Sequence, residues 1–135
     1  MSMLVNRNFG IIESSLNAAT MRQEVISHNL SNVDTPHYKR SEVVFESVLA
    51  EQMKQPSKIV GYKTDQQHLQ VGGSTNMNVK PTITVDQHTS FNNNDNNVDV
   101  DMEMALMAQN QLRYNVLVEQ MSHEVKFLRT SIGGS

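Results

Sequence analysis

Two stretches of apolar residues in alternating steps of four and three bracket this chain, and little else in it can form a core. Near the N-terminus the series is Val5, Phe9, Ile12, Leu16, Ala19, Gln23, Ile26, Leu30 and Val33. Near the C-terminus it is Val100, Met104, Met107, Gln111, Tyr114, Val118, Met121, Val125, Leu128 and Ile132. Alternating four-three spacing keeps one stripe of a helix facing one partner over many turns. Each series therefore predicts a long helix. The N-terminal one is about 28 residues and roughly 40 Å long at ~1.5 Å per residue. That is long for a chain of 135 residues and favours a bundle or coiled coil over a globule. Met102, Leu106, Leu112 and Leu117 add apolar surface beside the C-terminal seam, so this helix needs more than one partner.

Each seam carries one interior glutamine, Gln23 and Gln111. Polar residues in a seam are tolerated at wet positions or fix register by facing each other. Asp99, Asp101 and Glu103 suit the positive end of a helix dipole, and Asp99 is placed to cap free N–H groups. Lys126 and Arg129 suit the other end, and Gly133-Gly134 stops the helix.

The chain divides into three zones: 1–33, an N-terminal heptad helix; 34–98, a turn, a short helix and irregular loops; and 99–135, a C-terminal heptad helix. The fold class expected is mainly α, with the terminal helices forming an antiparallel coiled coil or helical bundle. In the middle, Val44, Phe45, Val48, Leu49 and Met53 predict a short helix near 42–54, and Thr82-Ile83-Thr84-Val85 is a β-type run that suits a hairpin. The tracts VGGSTNMN and FNNNDNNVD have turn and loop composition. With so few apolar residues, this zone is expected to be weakly ordered alone.

Composition narrows the functional classes. Only 5% of residues are aromatic, there is no Trp, and the formal charge is −3. That balance gives no pull toward nucleic acid. The absence of cysteine removes disulfides, thiolate metal sites and cysteine nucleophiles. No apolar run approaches the ~20 residues that span a bilayer, and the N-terminus lacks a signal-peptide pattern. Export would have to use a route without a cleaved signal.

No constellation of residues predicts an enzyme, a metal site or a cofactor. The five histidines form no metal-binding pair, and His123-Glu124 lacks a second histidine. Asp95 to Asp101 looks like a calcium loop but has Val100 where glycine is needed and Leu106 where glutamate is needed. The glycosylation sequon Asn29-Leu30-Ser31 lies on the seam helix and reads as chance.

The most informative run is His28 to Arg40. It ends a helix: Thr35 precedes Pro36 and is pushed to an extended conformation, while Asn32 and Asp34 can bond locally to backbone. Its pattern, N-x-x-N-x-x-T-P-x-Y-K, resembles the signature of the bacterial flagellar rod and hook family of axial proteins. Asn29, Asn32, Thr35, Pro36, Tyr38 and Lys39 match in place. His37 departs from it, since many members carry glycine there. Glycine permits a positive φ that histidine resists, so either the turn differs or the position does not demand φ > 0.

The tract Asn96 to Met104 resembles the start of the family's C-terminal helix. Gln109 to Asn115 and the ending Leu128 to Ile132 resemble the short proximal rod proteins, which come in two sister types. The resemblance implies a structural subunit of the basal-body rod, exported through the flagellum-specific type III apparatus. It implies polymerisation through the terminal helices, with Phe9, Ile12, Leu16, Ile26, Leu30, Val33, Met107, Gln111, Tyr114, Val118, Met121, Val125, Leu128 and Ile132 as packing residues. Expected partners are copies of itself, other rod proteins, the rod adaptor, and membrane-ring and export-gate proteins. The terminal zones are expected to order on assembly. A soluble helical-hairpin adaptor, such as a secretion chaperone, is the alternative from another class.

Overall fold

The computed structural model describes residues 2–54, 79–87, 89–90 and 95–133, with the side chains of residues 2–7 left aside. Five elements follow in order: α1 (Ser2–Ser31), β1 (Ser41–Val44), α2 (Glu46–Lys54), β2 (Thr82–Val85) and α3 (Val100–Gly133). The chain is thus mainly helical, dominated by its two terminal helices. At ~1.5 Å per residue they are about 45 and 51 Å long.

The N-terminal seam faces inward as expected. Ile12, Ala19 and Ile26 are buried, and Phe9, Leu16, Gln23, Leu30 and Val33 are half-buried. A second stripe, Ala18, Val25 and Asn29, is buried as well. A helix with two buried stripes has two neighbours: α3 lies along one side and the middle zone along the other. Ala18 packs with Phe45 and Val79, and Val48 and Leu49 close over them.

That cluster ties the described part of the middle zone to α1. Val43, Phe45 and Val79 are among the most buried side chains of the described residues. α1 offers Phe45 and Val79 a ready surface at Ala18, while Met53, Ile83 and Val85 stay exposed. β1 and β2 pair antiparallel, with Ser41 opposite Val85 and Val44 opposite Thr82. The bond from Asp86 N–H to the Arg40 carbonyl (2.9 Å) extends the ladder. The two strands are joined by residues 45–81, which include α2, so they are not a tight hairpin.

The short helix starts at Glu46, four residues later than the expected 42, because Ser41–Val44 is held extended by β2. Pairing across the chain has overridden the local apolar spacing. Pro56, His68 and the VGGSTNMN tract lie outside the described residues, as do His88 and residues 91–94.

α3 departs most from expectation. Its inward stripe carries buried Glu103 and Asn110, with Leu106, Met107, Leu117, Met121, Glu124 and Leu128 half-buried. Of the expected seam, Val100, Met107, Met121 and Leu128 are half-buried. Met104, Gln111, Tyr114, Val118, Val125 and Ile132 are exposed. The inward stripe is therefore rotated from the expected seam. At the start of α3, Glu103 bonds Asn29 and Arg40 and lies on this rotated stripe.

Candidate assembly joint

At the C-terminal end of α1 the chain turns, enters β1 and receives the start of α3. α1 tightens as it ends: Asn32 N–H bonds the Asn29 carbonyl (3.1 Å) and Val33 N–H the Leu30 carbonyl (3.4 Å). Thr35 N–H then bonds the Asn32 carbonyl (3.0 Å), and the Thr35 hydroxyl donates to Asn32 Oδ1 (3.2 Å). Tyr38 N–H bonds the Thr35 carbonyl (3.3 Å), closing a turn with Pro36 second and His37 third. His37 has φ 60°. Proline second and positive φ third are the signature of a type II turn. The position does demand φ > 0, and histidine adopts it despite the steric cost.

Asn29, fully buried, is the hub. Its Nδ2 donates to the Ser41 carbonyl (2.9 Å) and to Glu103 Oε2 (3.3 Å). Its Oδ1 accepts from Ser41 N–H (3.0 Å) and the Tyr38 hydroxyl (3.2 Å). The carboxamide thus pairs with Ser41 as a neighbouring strand would, and spends its other valences on Tyr38 and α3. The apparent sequon is inaccessible for the same reason.

Two more asparagines hold the turn from the other side. Asn96, also fully buried, places Nδ2 2.9 Å from the carbonyls of Asn32, Val33 and Thr35. Its two hydrogens are shared among three carbonyls at and just past the end of α1, of which those of Asn32 and Thr35 also accept a turn N–H. Its Oδ1 accepts from Val98 N–H (2.7 Å). Asn97 accepts from Arg40 N–H (2.6 Å) and donates to the Asp86 carbonyl (3.1 Å) and the Thr89 hydroxyl (2.9 Å). Lys39 Nζ donates to the carbonyls of Thr89 (3.0 Å) and Asp95 (2.9 Å). Asp99 caps α3 as expected, accepting from the N–H groups of Asp101 (3.0 Å) and Met102 (3.3 Å).

The electrostatic centre is Glu103, a fully buried carboxylate in the first turn of α3. One oxygen takes the Arg40 Nε–H (2.5 Å) and the other the Asn29 amide. Arg40 also donates to Glu42 Oε2 (3.0 Å). Burial alone would lower the Arg40 pKa, but its hydrogen bonds to Glu103 and Glu42 outweigh that and raise it. A buried carboxylate is tolerable only when paired and hydrogen-bonded, and Glu103 is both. Outside the joint, Glu46 receives Arg22 through both oxygens (2.8 Å each) and Arg113 through Oε1 (3.1 Å). One carboxylate at the start of α2 therefore ties α1 to α3.

The six residues of the sequence motif come together here, each with a defined partner except Pro36, which is exposed at the turn. Sequence reasoning places Arg40 in the helix-end run and Asn96, Asn97 and Glu103 in the tract that opens the C-terminal helix, but does not bring the two together. Asn96 and Asn97 sit in an asparagine-rich tract that reads as loop, and Glu103 reads as a helix-dipole charge. The signal available was that an asparagine pair stands one residue ahead of the cap Asp99. Of the two readings of the seam glutamines, the facing pair is not found within the chain: Gln111 is exposed and donates to Asn115 (3.4 Å), while Gln23 accepts from Asn110 (3.2 Å). Among the described residues no group of three or more His, Asp or Glu could hold a metal ion.

Comparison with known proteins places this arrangement. The family described as "Flagella basal body rod protein" matches residues 11–39, the stretch from α1 through the turn to Lys39. The flagellar basal body rod protein FlgB of Bacillus subtilis is 38% identical over 123 residues, 91% of each chain. FlgB of Borreliella burgdorferi is 37% identical over 82% of this chain and 84% of its own. FlgB of Escherichia coli K12 is 28% identical over 84% of each. Identity of this extent, covering both helices and the joint between them, shows that the chain belongs to the flagellar basal body rod proteins, of the FlgB type.

Proposed function

We propose that this structural subunit of the flagellar basal body rod sits in the proximal rod and polymerises through α1 and α3, linking the membrane-embedded base to the more distal rod. The observation that carries the reading is the outer surface of α3. Leu112, Val116 and Phe127 are more than three-fifths exposed, and Met102 and Met104 more than half. Single exposed apolar residues are ordinary, but a helix that carries them along its outer length offers a surface for other helices. Assembly covers them at ~25 cal/mol per Å².

In this reading α1 and α3 complete antiparallel coiled-coil layers with helices of neighbouring copies, other rod proteins and the rod adaptor. Membrane-ring and export-gate proteins meet the rod at its base. The joint and the Asn110 contact with Ala19 and Gln23 close from the chain's own residues, so ordering on assembly concerns the helix lengths beyond them. Among the described residues, no helix is long and apolar enough to cross a membrane, and the weak net charge of −3 offers no attraction to nucleic acid. The role is architectural, without catalysis or cofactor.

Circular dichroism of the purified chain tests the ordering: helix content should rise on assembly, and a fully helical monomer that melts cooperatively over its whole length would refute it. Separation of cells into cytoplasm and basal bodies tests the function. The chain should co-purify with basal bodies, whereas confinement to the cytoplasm would favour a secretion chaperone.

A further inference from the structure

Only two residues of α3 are buried among its described residues, and both are polar: Glu103 and Asn110, one heptad apart. Each grips α1. Glu103 meets Asn29, and Asn110 Nδ2 donates to the Ala19 carbonyl (2.9 Å) and to Gln23 Oε1 (3.2 Å). The apolar residues of the same stripe, Leu106, Met107, Leu117, Met121 and Leu128, are only half-buried.

The two grips differ in hydrogen-bonding sense. An ionised carboxylate only accepts, and Glu103 faces two donors, Arg40 Nε and Asn29 Nδ2. Asn110 donates to two acceptors, one of them a backbone carbonyl that cannot reverse its role. Its own Oδ1 is buried without a hydrogen-bond partner. Leucine at this place would leave no such orphan. A polar seam residue retained at a cost in stability is the device by which paired helices fix register.

We propose that Glu103 and Asn110 together determine the register of α3 on α1 through opposite donor and acceptor demands. Sliding α3 by one heptad one way brings the Glu103 carboxylate to the Ala19 carbonyl, acceptor against acceptor. Sliding it the other way brings Asn110 to Arg40 and leaves the guanidinium without its carboxylate. The half-buried apolar residues do not discriminate in this way, since one apolar side chain replaces another. The inference concerns packing within one chain and stands whether or not these helices make the polymer contacts.

The chain has no cysteine, so paired spin labels can be placed cleanly at Asn17→Cys and Ala105→Cys, both exposed and both at or within the stretch that the two grips hold. Pulsed electron–electron resonance on the full chain should give one narrow distance. Asn110→Asp puts an acceptor-only group against the Ala19 carbonyl, which cannot reverse its role, and should broaden or displace that distance, up to the ~10 Å rise of one heptad. Adding Gln23→Lys supplies a donor and should restore the single distance. Three results would overturn the proposal: a native chain without a single distance, an Asn110→Asp chain indistinguishable from native, or no restoration by Gln23→Lys. If Asn110→Asp loses its helix altogether, recovery of helix and distance in the Gln23→Lys double variant supports the proposal, and persistent loss overturns it.

Discussion

A primary carboxamide has two donor hydrogens and two acceptor positions, and Asn29 uses all four. Neither aspartate nor leucine can do this. Aspartate loses both donors and sets a second carboxylate beside Glu103. Leucine leaves Ser41, Tyr38 and one Glu103 oxygen without their partner. Each buried group so orphaned costs ~1–3 kcal/mol, so either substitution should lower stability by about 3 kcal/mol or more, read from denaturant unfolding. Tyr38→Phe removes only one of the four bonds and should cost ~1 kcal/mol, yet impair rod assembly more than export. Full motility of that variant would separate the hydroxyl from the joint's role. His37 makes the opposite case. A non-glycine residue at positive φ is strained by ~1–2 kcal/mol, and its 3.5 Å contact with Asp95 is exposed on both sides. Surface pairs of that kind contribute little. His37→Gly should therefore raise stability, by up to about 1 kcal/mol after the added chain entropy of glycine is set against the strain. The motif was legible in sequence because Asn29 to Lys39 bond mostly within a dozen residues. Asn96 and Glu103 were not, because their partners stand some 60 to 75 positions away and side-chain identity alone does not say which distant carbonyl an asparagine will find.

At the scale of elements the same contrast explains why the α1 series lies on a face buried within the chain and much of the α3 series does not. Both series keep four-three spacing, and spacing identifies a helix without identifying what it faces. α1 buries two stripes because the apolar residues of the middle zone need a surface. In the first turn of α3, Arg40 bonds Glu103 on the inward stripe. Removing Arg40 alone leaves a buried carboxylate uncompensated, so Arg40→Met should cost ~3–5 kcal/mol, while Arg40→Met with Glu103→Met should cost distinctly less. A double-mutant cycle by thermal melting measures the difference. The sign of the pH dependence follows from the raised Arg40 pKa. A group raised on folding contributes stability in full below its unfolded value and loses it only as pH climbs through the folded value. For arginine both lie above the neutral range, so the Arg40 contribution should stay constant across neutral and moderately alkaline pH. Phe45 tests the small core in turn. It anchors the cluster of Ala18, Val79, Val48 and Leu49, and Phe45→Ala should cost ~3–5 kcal/mol.

Over the whole molecule, order is concentrated at one end. The joint gathers the end of α1, β1, the residues after β2 and the start of α3, and satisfies nearly every polar group it buries. From there the two helices extend with little cover on the outer side of α3. Such a division suits a subunit whose own fold and whose assembly rest on different surfaces, and it makes the two separable by mutation. Leu112 and Val116 are 68% and 62% exposed and contact none of the joint residues through any hydrogen bond. Replacing both with glutamate removes no buried contact within the chain, so the isolated protein should keep its unfolding midpoint to within ~0.5 kcal/mol, as surface substitutions ordinarily do. In an assembly the same two carboxylates would be buried without partners, at a cost of several kcal/mol each. The expected outcome is a chain that is made, folded and exported but absent from purified basal bodies, in cells that do not swim. If the variant still enters the rod and supports swimming, the outer face of α3 is not the polymer contact, whereas loss of stability in the isolated chain would mean that this face already serves the fold.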